Sequence, residues 1–147
     1  MSELLARLKG DMVAARKAQD KPRTLLLSTI LSDVQNRRIE LRRDPGDDEV
    51  IEVLRRGIKK RREASEAYAS ARREDLSTKE REEAEALETY LPAQVPDDEL
   101  RAAVADAIAA GAGNIGAVMG KVMPRFKGRA DGSRINAIAR EELARGA

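Results

Sequence analysis

The residues best suited to chemistry in this sequence are basic, and they cluster between Gly120 and Arg134. Five lysines or arginines stand in that segment against one acid, Asp131. Lys and Arg displace counterions when they contact a nucleic-acid backbone, and loop N–H groups can bind phosphate oxygens. The segment therefore predicts an RNA-phosphate surface formed by Lys121, Arg125, Lys127, Arg129 and Arg134. The alternative is that Gly116 and Gly120 allow a neighbouring helix to pack closely and that the charges are ordinary surface.

A second basic run lies at Arg55–Arg62, where six of eight residues are basic. Its Arg55, Lys59 and Lys60 form a secondary candidate face for RNA. A salt-laced, solvated helix face is the favoured interpretation, because acids stand four positions away and each such pair stabilises a helix by ~0.2–0.5 kcal/mol. The spacing predicts the pairs Glu52–Arg56, Lys59–Glu63 and Arg62–Glu66.

The composition excludes several classes of site. The chain contains no His, Cys or Trp, and its aromatics are two Tyr and one Phe. The missing residues exclude the usual zinc sites, His-based catalytic triads and iron–sulfur clusters. The scarcity of aromatics excludes a base-stacking platform for single strands. The acidic run between Glu80 and Glu88 favours a solvated helix face over acid–base or Mg²⁺ chemistry. We expect no catalytic residue, no metal and no cofactor.

The elements that must position the basic residues are helices throughout. Charged residues make up 37% of the chain, and aliphatic residues recur every three or four positions. The sequence predicts four helices followed by three shorter ones, with no strand. Two prolines in Leu91–Pro96 prevent a helix from continuing across that segment. We therefore predict an all-α protein with a four-helix bundle-like part at 1–91, a hinge at 92–96 and a three-helix part at 97–147.

The C-terminal part carries the clearest local signals. Asn114 is a good N-cap for a helix whose apolar stripe is predicted to lie in the core, and Pro124 should kink or end that helix. That stripe consists of Ile115, Val118, Met119, Val122, Met123 and Phe126. Asp97 or Asp98 is expected to cap the preceding helix, and Asp131 or Ser133 the last one.

The chain shows no signal peptide and no apolar run of the ~18 residues that a membrane helix needs. Its formal net charge is only +2. We expect a cytoplasmic protein with no membrane partner and no DNA partner.

Several motifs, in order along the chain, resemble those of the GatB/YqeY family. They are R-x-L-L-L-S-T-I-L at Arg23–Leu31, Glu49-Val50, R-x-D-L at Arg73–Leu76, Y-L-P-A-Q at Tyr90–Gln94, G-K-V-M at Gly120–Met123, K-G-R-A-D-G at Lys127–Gly132 and then Asn136. The similarity spans essentially the whole chain, and the ordered set is far more specific than any one motif.

The resemblance implies an all-helical protein whose C-terminal part binds tRNA. In that family the same module forms the tail of the B subunit of the aspartyl/glutamyl-tRNA amidotransferase and an appendage of some glutaminyl-tRNA synthetases. Carried over by motif, Lys121, Arg129 and Asn136 fall on RNA-binding positions, and Gly120, Asp131 and Gly132 shape the turn. The resemblance to the longer family members would imply a carbon–nitrogen ligase that uses glutamine as amido donor. Those members have a catalytic cradle, which we do not expect in this chain.

Three functional hypotheses remain open at this stage. The first is a non-catalytic tRNA-binding module that assists or regulates aminoacyl-tRNA formation. The second is an adaptor that binds a synthetase or an amidotransferase, which the mixed-sign third and fourth helices favour. The third is an amidotransferase-like enzyme in its own right, which the missing His and Cys make hardest to support.

Overall fold

A computed structural model describes residues 2–92, 95–127 and 129–146. Within these ranges the secondary structure consists of helices and no strand, which confirms the predicted all-α class. The helices are α1 (Glu3–Lys17), α2 (Lys21–Leu41), α3 (Asp47–Ser70), α4 (Glu74–Glu88), α5 (Asp97–Ala109), α6 (Ile115–Val122), a 3-10 turn (Met123–Phe126) and α7 (Gly132–Arg145). Ala93 and Gln94 of the predicted hinge, and Gly128 of the K-G-R-A-D-G motif, lie outside the described residues.

The chain forms two compact units, residues 1–91 and residues 92–147. In the first unit, α3 packs against α1, α2 and α4 around an aliphatic core. Removal of each such side chain from water contributes about 1.5–3 kcal/mol. The large side chains that are completely buried there are Leu8, Leu27, Ile30, Val50, Leu54 and Leu87.

A pair of serines fastens α3 to α4. The Ser65 hydroxyl donates to the Ser77 carbonyl at 2.8 Å, and the Ser77 hydroxyl donates to the Ser65 carbonyl at 2.8 Å. Small side chains at this crossing let the two helices approach closely, and the hydroxyls of the buried Ser77 and the half-buried Ser65 are both satisfied.

The second unit packs α5, α6 and α7 around one core. Its completely buried large side chains are Leu100, Val104, Val118, Val122 and Ile135. Arg101 on α5 donates to Glu141 at 3.0 Å and to Glu142 at 2.6 Å, which joins α5 to α7 at the surface. These carboxylates raise the pKa of Arg101 above its usual value.

The helix caps of the second unit agree only partly with the prediction. The Asn114 side chain accepts a 2.9 Å hydrogen bond from the Ala117 N–H, as predicted. Asp131 is the cap of α7, since its carboxylate accepts from the Ser133 N–H at 3.0 Å. The prediction that Asp97 or Asp98 caps α5 is wrong, because Pro96 occupies the N-cap position. Both acids lie in the first turn instead, where the helix dipole favours negative charge.

The prediction that Met123 lies in the core is also wrong, because its side chain is 39% exposed. Pro124 cannot donate an intrahelical hydrogen bond, so α6 ends at Val122 and the chain tightens into the 3-10 turn. Met123 is exposed at the start of this turn, and Phe126 at its end stays in the core.

Candidate nucleic-acid interface

The basic residues with the fewest local partners lie where α6 passes into the 3-10 turn. Lys121 is exposed in the last turn of α6, and Arg125 is exposed in the 3-10 turn. The Arg125 guanidinium carbon lies 5.8 Å from the centre of the Phe126 ring. Within the described ranges, neither cation forms an ion pair with a carboxylate. Both charges are therefore available to an anionic ligand.

Folding gives Arg129 a carboxylate partner that its sequence neighbourhood lacks. Its guanidinium lies 3.8 Å from Glu99, in the first turn of α5, and 5.8 Å from the Phe126 ring centre. The side chain is still 54% exposed. Because an exposed ion pair contributes only ~0–1 kcal/mol, Arg129 can exchange Glu99 for a phosphate at little cost.

Arg134 is held by the protein itself. It donates to the Val95 carbonyl at 2.9 Å and to the carboxylate of Asp97. It thereby ties the first turn of α7 to the residues that begin α5. The local surplus of positive charge is consequently smaller than the sequence spacing indicates.

The other two candidate residues differ in exposure. Lys127 is exposed and follows the 3-10 turn directly. Asn136 is half-buried on α7, and its side-chain oxygen accepts a 2.8 Å hydrogen bond from Arg140. A ligand that used the Asn136 oxygen would have to compete with Arg140.

The glycines of this region play different roles. A Cβ on Gly132 would lie 3.0 Å from the terminal methyl of Met123, so this position favours glycine for packing. A Cβ on Gly120 would meet no described atom within 4 Å. Close packing of a helix of the described chain therefore does not explain Gly120. Instead, Gly120 leaves α6 backbone exposed beside Lys121, at a cost of ~1 kcal/mol in helix propensity relative to alanine.

We call Lys121, Arg125, Lys127 and Arg129, together with Gly120, the α6 basic surface. It combines exposed cations with one helical position, Gly120, that carries no side chain. Such a surface can approach a phosphate backbone closely.

In the second basic run, Arg55–Arg62, two arginines are tied to a neighbouring helix. Arg61 bonds to Glu83 on α4 at 3.1 Å, and Arg62 bonds to Glu88 on the same helix. Glu52 pairs with Arg37 on α2 at 3.6 Å. The predicted Glu52–Arg56 and Arg62–Glu66 pairs are thus replaced by pairs between helices. Of the RNA candidates in this run, Arg55 is half-buried, while Lys59 and Lys60 are exposed.

A polar cluster around Tyr90 was not predicted from the sequence. Its hydroxyl donates to Asp11 at 2.5 Å and accepts from Arg23 at 3.1 Å, and Arg7 lies 4.7 Å above the ring centre. Burial and the bond to Asp11 raise the pKa of Tyr90 to about 12. One signal in the sequence pointed to this residue. Tyr90 is one of only three aromatics, and it stands directly before the proline-containing boundary.

Among residues 2–92, 95–127 and 129–146, no group of three or more Asp or Glu side chains could hold a metal ion. No helix among those described is long and apolar enough to cross a membrane.

Comparison with known proteins gives the family. Residues 5–143 match the family model of the Yqey-like proteins. The chain belongs to the Yqey-like protein family. The match covers both units and the whole α6 basic surface.

The curated relatives are fungal. Residues of the chain align with the mitochondrial protein "Altered inheritance of mitochondria protein 41" of Pyrenophora tritici-repentis at 28% identity, over 86% of this chain and 73% of that protein. A protein of the same name from Eremothecium gossypii is 30% identical over 72% of this chain and 59% of its own length. An uncharacterized protein of Schizosaccharomyces pombe is 29% identical over 60% of this chain and 72% of its own length.

Proposed function

We propose that this chain is a non-catalytic tRNA-binding module that assists or regulates the formation of aminoacyl-tRNA. The observation that carries the proposal is the α6 basic surface. Lys121 and Arg125 have no carboxylate partner among the described residues, and Gly120 beside them leaves helix backbone open to close approach.

The chemistry of this surface suits a folded RNA. Lysine and arginine bind phosphates through charge and release counterions, which makes the affinity salt-dependent. A chain with three aromatics has few rings on which to stack splayed bases. Recognition would therefore rest on phosphate and ribose contacts along a helical RNA surface, as for proteins that read RNA shape.

Family resemblance supports tRNA as the RNA. The basic surface coincides with the G-K-V-M and K-G-R-A-D-G motifs that mark the tail of the amidotransferase B subunit. The amidation or aminoacylation itself is assigned to a partner enzyme, because this chain has neither His nor Cys to act as base or nucleophile. Both the cytoplasm and the mitochondrion would provide tRNA.

A charge-reversal experiment tests the proposal. Fluorescence anisotropy with labelled total tRNA should give a Kd of roughly 10⁻⁴–10⁻⁶ M near physiological salt. Lys121→Glu with Arg125→Glu should weaken binding at least about tenfold, because two phosphate contacts become repulsions. The matched control is Arg16→Glu with Lys17→Glu, the same charge change at two exposed positions of α1. Equal affinity for both double variants would contradict the assignment of the site.

An uncharged face of α2 favours the second candidate, an adaptor for a synthetase or an amidotransferase. Leu25 is 66% exposed and Ile39 is 65% exposed. The exposed positions between them on the same side of the helix are uncharged: Ser28, Thr29, Ser32 and Asn36. A cytosolic pull-down after nuclease treatment separates the two functions. Retention of a synthetase or amidotransferase supports the adaptor, and Leu25→Lys should abolish that retention.

A further inference from the structure

A cleft of about 490 Å³ lies within the first unit. Its floor is α3, and its walls are residues of α2 on one side and α4 on the other. This volume is within the ~300–1,000 Å³ range of small-molecule sites in proteins. Unlike a typical site of that size, this cleft is lined mainly by charged and amide side chains.

The cleft holds two cations that the protein leaves unpaired. Arg56 and Lys60 are exposed on α3 one helical turn apart, on the side that faces the cleft. Among residues 2–92, neither has an ion-pair or hydrogen-bond partner. The other two cations that line the cleft are paired. Arg61 forms an ion pair with Glu83, and Arg37 forms one with Glu40.

Arg37 adds an unsatisfied donor to the same cleft. Its terminal nitrogens reach Glu40 at 3.0 Å and Glu52 at 3.6 Å. Its Nε is buried and has no hydrogen-bond acceptor among the described residues. A buried donor of this kind usually meets a water molecule or a ligand.

The walls of the cleft also carry hydrogen-bond acceptors. Asp33 on α2 and Glu80 on α4 line the cleft, and neither has a partner among residues 2–92. The Asn36 amide, which can both donate and accept, lies on the same wall as Asp33. These groups suit hydroxyls, which donate to carboxylates and accept from amides.

We propose that this cleft binds a phosphorylated sugar. The two negative charges of a phosphate monoester match Arg56 and Lys60, and an arginine holds phosphate oxygens with two parallel hydrogen bonds. The sugar hydroxyls then donate to Asp33 and Glu80. The two wall carboxylates disfavour a ligand that carries negative charge at both ends. This site lies in the unit that does not carry the α6 basic surface, and it does not depend on tRNA binding.

Isothermal titration calorimetry of the full chain with ribose 5-phosphate tests the proposal. We expect saturable binding, and binding at least about tenfold weaker with inorganic phosphate or with ribose alone. Lys60→Ala should weaken ribose 5-phosphate binding about tenfold, whereas Lys59→Ala should change it less than about twofold. Lys59 is the matched control because it is also exposed and adjacent in sequence but does not line the cleft.

A second variant tests the sugar half of the site. Asp33→Asn should weaken ribose 5-phosphate binding several-fold without weakening the binding of inorganic phosphate, because it removes a hydroxyl acceptor and a repulsive charge. Circular dichroism of each variant checks that the helices are intact. The proposal is overturned by an absence of saturable heat with ribose 5-phosphate up to about 10 mM. It is also overturned by equal effects of Lys59→Ala and Lys60→Ala, or by equal affinity for inorganic phosphate.

Discussion

The hydroxyl of Tyr90 donates a 2.5 Å hydrogen bond to the carboxylate of Asp11, 79 positions earlier in the chain. Tyr90 is only 4% exposed, and Arg23 donates to the same hydroxyl. The bond fixes the last residues of the first unit to α1 and α2. The chain therefore enters the proline-containing segment from a fixed point.

Tyr90→Phe should lower the free energy of unfolding of the first unit by about 1–3 kcal/mol, because Asp11 and Arg23 lose a buried partner. Urea unfolding followed by far-ultraviolet circular dichroism measures the change. Tyr68→Phe is the control, since Tyr68 is half-buried and its hydroxyl has no hydrogen-bond partner among the described residues. A loss for Tyr90→Phe as small as that of the control would show that the cluster does not hold the unit together.

The same tyrosine predicts a pH dependence. Its pKa is raised to about 12 in the folded protein, from a usual value of 10.0. A raised pKa means that the folded state retains the proton longer than the unfolded state. The resulting stabilisation is complete below pH 10 and is lost as the pH rises towards about 12. The stability difference between wild type and Tyr90→Phe should therefore shrink across that interval. A difference that stays constant would contradict the shift.

Gly120→Ala should separate stability from binding. It should stabilise α6 by about 0.5–1 kcal/mol, since alanine is the better helix former and the new methyl group meets no described atom. It should also weaken tRNA binding, because the methyl group occupies the approach to the helix backbone. Gly10→Ala on α1, which is equally open, should stabilise without affecting tRNA. If Gly120→Ala binds tRNA as tightly as the wild type, Gly120 is not part of the binding surface.

Arg134→Ala should destabilise the second unit by about 1–3 kcal/mol, because the Val95 carbonyl and the Asp97 carboxylate lose a shared donor. Hydrogen exchange of α5 and α7 amides reports this loss. Arg145→Ala removes an exposed arginine that pairs with Glu142 within α7 and should cost less than about 1 kcal/mol. If the α5 and α7 amides are equally protected from exchange in both variants, Arg134 does not hold the two helices together. Its charge would then be available for RNA, as the sequence predicts.

Features set by neighbouring residues were predictable from the sequence. The all-α class, the Asn114 cap and the end of α6 at the proline all follow from short-range sterics and hydrogen bonding. The Met123 prediction failed because an ideal helical period was extended past Val122, where α6 ends and the 3-10 turn begins.

The pairing of charges was not predictable, because it depends on how the helices pack. The partners of Arg134 and Arg129 are Asp97 and Glu99, which lie 37 and 30 positions away in sequence. Sequence spacing could reveal only partners within one helix. The same limitation hid the Tyr90 cluster.

The most direct test of tRNA binding by the second unit is an NMR titration of the ¹⁵N-labelled full chain with tRNA. Glycine amides are well separated in such spectra, and the glycines of interest lie in different units. We predict that the chemical shift of the Gly120 amide changes as tRNA is added, while the chemical shift of the Gly10 amide does not. An unchanged Gly120 chemical shift at a tRNA concentration that saturates binding would contradict tRNA binding at the α6 basic surface.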